Sequence, residues 1–450
     1  MGIIAIVGRP NVGKSSIFNR LLGRREAIVD DFPGVTRDRL YGEMVWDSHR
    51  FYIVDTGGIM GETEDGYPEI MAKMERQVEH ALSESDGVVF VLDGREGVTV
   101  MDSEIALLLR KGGRRVVVAV NKLDNPARVD AAYDASSLGF DKVLPVSAEH
   151  NFNMGELLEE MVAFLPEDES PAEFEESDEI PVTLVGRPNT GKSSLFNVLA
   201  GQERSLVSEI PGTTRDVVDT IVELDGARYR FLDTAGLRRK ARVNTNVEYY
   251  SNVRTYQAID KCRVAIVMLD ASELVTDQDK RLIGHVLERG KGLVIAVNKW
   301  DLAPNDPKVG DRTRALLKDE LPFASHVPIL FLSALTKRGV SRLHQHLAAV
   351  DENRRRRIST SELNRLVSEV LAFERMPGDG RGRYLKISFC TQADGVPPAF
   401  VFFVNDDRMV TRSFERRLEN IIRKMADYSG VPLRIFFRNK QNDRVISRKA

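Results

Sequence analysis

The octapeptide GRPNVGKS at Gly8 to Ser15 returns as GRPNTGKS at Gly186 to Ser193, and nothing else in the chain restricts its fold so strongly. Both copies fit G-x-x-x-x-G-K-[ST], in which glycines let backbone amides turn inward around a phosphate. The first follows an apolar run, Ile3 to Val7, and precedes a helix-like stretch, Ser16 to Leu22. Strand, loop and helix in that order put the loop at a helix N-terminus, where partial positive charge favours an anion. Lys14 and Lys192 are placed to reach the outer phosphates, and the Ser15 and Ser193 hydroxyls to hold Mg²⁺. An ordinary glycine turn would not recur almost intact.

Spacing shows that whole domains are duplicated. Lys14 and Lys192, Thr36 and Thr214, and Asp55 and Asp233 are each 178 residues apart; Asn121 and Asn298 are 177 apart, and Ser147 and Ser333 186. Short apolar runs alternate with helical patterns in each copy: Val88 to Leu92, Val116 to Val120 and Val143 to Val146, then Val264 to Leu269, Leu293 to Val297 and Pro328 to Leu332. Unbroken apolar runs suit parallel strands covered by helices on both faces, with ligands at their carboxyl ends. The expected fold class is therefore α/β, with two doubly wound, mostly parallel sheets. Domain limits are expected at 1–165, 181–350 and 351–450. The acidic linker 166–180 lies in a stretch with eight acidic residues, no basic ones and three prolines, which cannot bury much.

The last hundred residues read differently. Helices are expected over Ser361 to Phe373, capped by Ser359 or Thr360, and over Ser413 to Tyr428. Strands are expected over Tyr384 to Thr391, Ala399 to Asn405 and Val431 to Arg438. The order α-β-β-α-β makes a small α+β sandwich. This segment carries 21 Lys and Arg against 13 Asp and Glu, whereas the first 350 residues carry 43 against 54. A basic end on an acidic body suits a polyanionic partner.

The remaining motifs define chemistry. Asp55-Thr56-Gly57-Gly58 and Asp233-Thr234-Ala235-Gly236 each lie 41 residues past the phosphate-loop lysine. Such an Asp holds Mg²⁺, and the glycine lets a backbone amide approach a γ-phosphate, an interaction that ends with hydrolysis. Thr36 and Thr214, inside PGVTRD and PGTTRD, are candidates to complete the Mg²⁺ shell; the arginines beside them are catalytic or structural, the structural reading being favoured. Asn121-Lys122-Leu123-Asp124 and Asn298-Lys299-Trp300-Asp301 end buried strands. An Asp there accepts from N1–H and the 2-amino group of guanine, a donor pair adenine lacks. Asn and Lys brace the loop, and the Ser147-Ala148 and Ser333-Ala334 amides meet the guanine O6. The nucleotide-binding set also takes in Arg9, Pro10, Asn11, Val12 and Gly13, Arg187, Pro188, Asn189, Thr190 and Gly191, and Ile59 and Leu237.

Other classes fit less well. Cys262 and Cys390 are far apart, with no Cys or His at zinc spacing, so free thiols in a reducing, cytoplasmic setting are expected, without zinc or a disulfide. No apolar stretch approaches membrane-spanning length, so no membrane partner is expected. An RNA-modification enzyme regulated by its nucleotide domains would need a catalytic cluster after Asp351, and none is visible. A scaffold with silent sites conflicts with the intact Lys14, Lys192, Asp55 and Asp233.

With five guanine-nucleotide motifs present twice and a basic α+β end, the chain resembles the EngA (Der) family of tandem GTPases over essentially its whole length. DTAGLRRKARV at Asp233 to Val243, Glu248-Tyr249-Tyr250-Ser251 and Gln392 to Asn405 carry the likeness further. The resemblance implies two P-loop GTPase domains, a KH-like C-terminal domain, GTP hydrolysis to GDP and phosphate, and action on ribosomal RNA in late assembly of the large ribosomal subunit. Where Ras-like enzymes place a water-orienting Gln, this chain has Ile59 and Leu237, so slow intrinsic turnover is expected. Related GTPases with Asn at the position of Asn11 and Asn189 use K⁺ as a charge-stabilising element. The implied catalytic set is thus Lys14, Asn11, Thr36 and Gly58, with Lys192, Asn189, Thr214 and Gly236. The C-terminal domain lacks the G-x-x-G clamp of RNA-reading KH modules, so a salt-dependent backbone contact is expected of it, with Arg354 to Arg357, Arg381, Arg383, Arg416, Arg417, Arg434, Arg438 and Arg444 as candidates.

Overall fold

The computed structural model describes residues 2–23, 41–46, 49–56, 74–76, 78–79, 81–83, 85–123, 131–165, 178–201, 208–211, 218–234, 250–371, 376–378 and 382–439. The chain divides into two compact units, Met1–Ser170 with Asn246–Gln257, and Pro171–Thr245 with Ala258–Ala450.

In the first unit, β1 (Gly2–Val7) leads into α1 (Lys14–Leu22), and β2 (Tyr41–Trp46), β3 (His49–Asp55), β4 (Gly87–Asp93), β5 (Arg115–Asn121) and β6 (Lys142–Pro145) complete a sheet ordered β2-β3-β1-β4-β5-β6. Only β2 runs antiparallel to its neighbour. β1 and β4 are buried at every position, as the apolar runs require when both faces are covered. Ile4, Ile6, Val89 and Val91 face one core with Ile17 and Leu157, while Ala5, Val7, Val88 and Phe90 face the other with Ile105 and Leu109. The covering helices include α2 (Val100–Lys111), α3 (Ala131–Ser136) and α4 (Met154–Val162).

A second copy of this plan follows along the chain, its helix Tyr250–Lys261 falling across the limit between the two units. β7 (Ile180–Val185), α5 (Lys192–Ala200), β8 (Ser208–Pro211), β9 (Val218–Leu224), β10 (Ala227–Phe231), α6 (Tyr250–Lys261), β11 (Val264–Asp270), α7 (Asp277–Glu288), β12 (Gly292–Asn298), α8 (Val309–Glu320), β13 (Ile329–Phe331) and α9 (Leu343–Arg354) follow in order. The sheet runs β8-β9-β10-β7-β11-β12-β13, the first sheet's order plus one antiparallel edge strand. α2 and α7 begin alike: Thr99 with Asp102, and Thr276 with Asp279, form capping boxes.

A three-stranded sheet closes the chain. α10 (Thr360–Leu371), β14 (Ile387–Ala393), β15 (Ala399–Val404), α11 (Arg412–Met425) and β16 (Arg434–Asn439) keep the expected order, with β14 antiparallel and β16 parallel to the central β15. Ser359 rather than Thr360 caps α10, accepting from the Glu362 amide at 3.3 Å. β14 starts at Ile387 rather than Tyr384, because the Leu385 amide donates to Pro377 O and Tyr384 bridges to Gly378. β16 starts at Arg434 rather than Val431, because Val431 packs into the core of the preceding domain.

That packing makes a joint. Leu293 N donates to Gly430 O at 2.8 Å, Gly430 N to His326 O at 3.0 Å, and Asn353 Nδ2 to Ser429 O at 3.2 Å. α9 runs on through the 350/351 limit, carrying Asp351, Asn353 and Arg354 into the joint. Arg354, a surface candidate by sequence, is only 2% exposed and pairs with Asp351 at 3.3 Å. Its neighbours are also engaged: Arg356 bonds Glu352 and Asn353, and Arg357 bonds Asp394 and Ala393 O. Such pairings weaken the sequence-based case for a run of four surface cations. The 166–177 part of the linker, Arg381 and Arg444 lie outside the described residues.

Candidate functional site

Each octapeptide forms a loop between a buried strand and a helix that has no side-chain cap. The first-turn amides of α1 and α5 are therefore left for another acceptor. Gly13 and Gly191 stand at φ +94° and +93°, which glycine adopts without penalty. A Cβ there would lie 2.3 Å from Asn121 Nδ2 in one copy and 2.2 Å from Asn298 Nδ2 in the other. Asn11 and Asn189 are left-handed too, at φ +65° and +63°, and both are exposed.

The lysines fold back over their loops. Lys14 Nζ donates to Gly8 O at 2.8 Å and Arg9 O at 2.7 Å; Lys192 Nζ donates to Gly186 O at 2.7 Å and Arg187 O at 2.6 Å. Ser15 Oγ donates to Asp55 Oδ2 at 2.6 Å. A hydroxyl beside a carboxylate at a phosphate loop is the all-oxygen donor set that suits Mg²⁺. In the second copy Asp233 lies beyond the end of β10 at φ +53°, and its amide donates to Asp219 Oδ1 at 3.3 Å. Thr56 Oγ1 donates to Ile6 O at 2.7 Å, whereas Thr234 pairs with the Thr220 hydroxyl at 2.9 Å. The two copies thus differ at the end of this strand more than their motifs suggest.

The strand-end motifs reach the phosphate loops directly. Asn121 Nδ2 donates to Val12 O at 3.0 Å while its Oδ1 accepts from the Ala148 amide at 3.1 Å. Asn298 does the same, with Thr190 O at 2.8 Å and the Ala334 amide at 2.9 Å. One amide side chain therefore ties three loops together in each copy. Lys122 Nζ donates to Asn11 O and Asp93, each at 2.6 Å, and Lys299 Nζ pairs with Asp270 at 2.5 Å. Ser147 and Ser333 are buried and accept from the His150 and Thr336 amides. Leu123 is buried in the core, but Trp300 lies flat on Phe331, with ring centroids 4.1 Å apart and an interplanar angle of 28°. Asp301 follows it, exposed, on a short 3₁₀ turn, Trp300–Leu302.

The variable octapeptide position has a physical reading. Val12 is fully buried in the apolar core, while Thr190 is equally buried but donates within its loop to Arg187 O at 2.9 Å. Arg9 and Arg187 engage carboxylates outside their loops. Arg9 Nε binds Asp102 at 3.2 Å and its Nη2 meets Glu96; Arg187 Nε binds Asp279 at 2.8 Å and Nη1 meets Glu273. Asp102 and Asp279 are the capping residues of α2 and α7, so each phosphate loop is pinned to a helix start. Sequence reading missed these braces and the lysine partners Asp93 and Asp270. Extending the 177-residue offset would have found them, because Asp93, Thr99 and Asp102 recur as Asp270, Thr276 and Asp279. Thr36, Gly57, Gly58, Ile59, Asp124, Thr214, Ala235, Gly236 and Leu237 lie outside the described residues. Cys262 and Cys390 are buried free thiols, which burial pushes up to about 12 and about 11.

Two braced phosphate loops, each tied to its own strand-end Asn-Lys motif on the same sheet order, define a tandem P-loop GTPase. Comparisons agree in detail. The family profile described as "50S ribosome-binding GTPase" matches residues 3–122 and again 181–299, and that of the "KH-domain-like of EngA bacterial GTPase enzymes, C-terminal" matches 357–438. The GTPase Der of Heliobacterium modesticaldum is 45% identical over 98% of this chain and 99% of its own length. That of Symbiobacterium thermophilum is 46% identical over 98% of this chain and 92% of its own. The chain belongs to the GTPase Der (EngA) family, and its C-terminal sheet domain is the KH-like domain of that family. It binds GTP and GDP and hydrolyses GTP, and the family depends on Mg²⁺.

The Lys14 ammonium carries a pH signature. Burial, partly offset by the Asp55 carboxylate, lowers its pKa from 10.5 to about 8. A polyphosphate beside it favours the charged form. Binding of GDP to the first site at pH 8.5 is therefore expected to take up a proton, and affinity to fall as pH rises from about 8 towards the unperturbed 10.5. The sign is opposite for folding without nucleotide, where the unfolded chain holds the proton more tightly and stability rises over the same range. Calorimetry in buffers of different ionisation enthalpy measures the uptake; a Lys14→Arg chain that takes up as many protons as the wild type would refute the assignment.

Proposed function

We propose that this chain is a GTP-driven assembly factor of the large ribosomal subunit, with nucleotide state setting the arrangement of its domains and their contact with ribosomal RNA. The observation that carries the reading is the pairing of two built nucleotide sites with a KH-like domain in one chain. It is supported by near full-length likeness to GTPase Der relatives and by the ribosome-binding description of the matching family profile. Among the described residues no helix is long and apolar enough to cross a membrane; we place the protein in the cytoplasm by analogy with its family. The working limits are 1–165 and 181–350 for the GTPase domains, 166–180 for the linker and 351–450 for the KH-like domain.

Within each site, Lys14 and Lys192 contact the β- and γ-phosphates, and the Gly58 and Gly236 amides sense the γ-phosphate. Ser15, Thr36 and Asp55, and Ser193, Thr214 and Asp233, hold Mg²⁺, which when bound neutralises charge on the bridging oxygens. Asp124 and Asp301 select guanine. Ile59 and Leu237 cannot orient water, so intrinsic hydrolysis is slow. Asn11 and Asn189, exposed on left-handed turns beside the lysines, recruit K⁺ to take up charge at the β,γ-bridge. Turnover is expected to rise about tenfold or more when K⁺ replaces Na⁺, and Asn11→Ala is expected to remove the first site's share. Equal rates in both salts would sink the K⁺ role. The assembly role is tested by cosedimentation with ribosomal subunits in GDP and in a non-hydrolysable GTP analogue; absence from the large subunit in both states would overturn it.

A further inference from the structure

The face of the C-terminal sheet turned away from α10 and α11 carries none of the nucleotide-binding motifs. α10 and α11 cover the other face, burying Phe400, Phe402, Phe414 and Leu418 in one core. Side chains alternate along a strand, so the residues between the buried ones point outward. Strand register lines up Phe389, Phe403 and Arg438 as one cross-strand row, and Val401 with Phe436 in the next. Phe389 is 44% and Phe436 48% exposed, and the Phe389 and Phe403 ring centroids are 6.0 Å apart. Arg434 and Arg438 are exposed on either side of Phe436. The three strands, ISFCTQA, AFVFFV and RIFFRN, contain no Asp or Glu.

We infer that this face is a stacking platform for single-stranded RNA. Aromatic rings offer flat surfaces to unpaired bases, while arginines at the rim meet the phosphates between them. A duplex carries the same phosphates but hides its base faces, so the platform discriminates by strandedness rather than by sequence. The lack of carboxylates on the strands removes repulsion of a polyanion and disfavours a cationic protein surface as occupant. The inference rests on the proposed contact with ribosomal RNA and names its place and chemistry.

Fluorescence anisotropy of the full chain with a labelled single-stranded RNA octamer, alone and annealed to its complement, tests it. The single strand is expected to bind about tenfold more tightly than the duplex. Phe389→Ala and Phe436→Ala should each weaken single-strand binding by about tenfold and leave duplex binding unchanged. Phe436→Trp should restore it. Arg438→Gln should weaken both and flatten the salt dependence by close to one phosphate contact. Equal binding of single strand and duplex, or alanine variants that bind like the wild type, would overturn the platform. So would a change of sedimentation coefficient in the alanine variants with RNA binding intact, which would assign the face to a second copy. Ribosomal cosedimentation is read separately: a wild-type chain that pellets with the large subunit but shows no single-strand preference loses the platform and keeps the assembly role.

Discussion

Replacing Asp301 with Asn is expected to cost the second site its guanine nucleotides and give it xanthine nucleotides instead. A carboxylate accepts from both N1–H and the 2-amino group of guanine; a carboxamide keeps one acceptor and turns the other into a donor. That donor suits the 2-oxo group of xanthine and opposes the guanine amine. Losing one charge-assisted hydrogen bond to a donor–donor clash, with the other reduced to a neutral one, corresponds to roughly 10²- to 10⁴-fold in GDP affinity. The supporting shell makes the substitution clean. Asp301 is exposed, and its loop is fixed independently by the Trp300 amide on Leu332 O at 3.1 Å, the Trp300–Phe331 stack and the Arg314 guanidinium 5.2 Å from the Phe331 ring. Titration with fluorescent GDP and XDP should show one of two guanine sites lost and one xanthine site gained. Two unchanged guanine sites would contradict the role of Asp301.

Gly430→Ala is expected to destabilise the second unit by about 2–5 kcal/mol. The residue stands at φ +75°, where an L side chain costs about 1–2 kcal/mol. Its new Cβ would lie 2.5 Å from a Val350 methyl and 2.8 Å from Leu293 O, and forced overpacking adds about 1–3 kcal/mol. Gly226→Ala is the internal control: at φ +81° it meets nothing within 4 Å, so only the backbone cost applies. Thermal unfolding should show a clearly larger drop for Gly430→Ala than for Gly226→Ala. Equal drops would mean that the joint tolerates the added methyl.

Much of this architecture was legible in the chain because duplication supplies its own control. Buried parallel strands announce themselves as runs such as GVVFVLD and VAIVMLD, and motif pairs at fixed offset mark the strand ends that matter. The internal ties were less legible. The motif places Arg9 only within the nucleotide-binding loop, and its tie to Asp102 of the capping box, 93 residues away, is seen only in the fold. Arg354 read as surface charge because local composition says nothing about which side of a helix a neighbouring domain will cover. Tyr384 and Val431 looked like strand residues by β-propensity, and tertiary partners claimed both.

β12 gives the joint a further meaning. Its first residues hold the KH-like domain through Leu293 and Gly430, and its last residue, Asn298, holds the phosphate loop. Seven residues of extended chain span about 20 Å, and a strand buried at every position has no slack to absorb a shift at one end. In the first copy the matching strand, β5, begins at Arg115, which bonds Ala163 O just past that domain's own helix α4. The second phosphate loop and the KH-like domain are thus held at opposite ends of one buried strand, while in the first copy the matching strand is tied to its own domain. Equal cradles in one chain need not have equal reach.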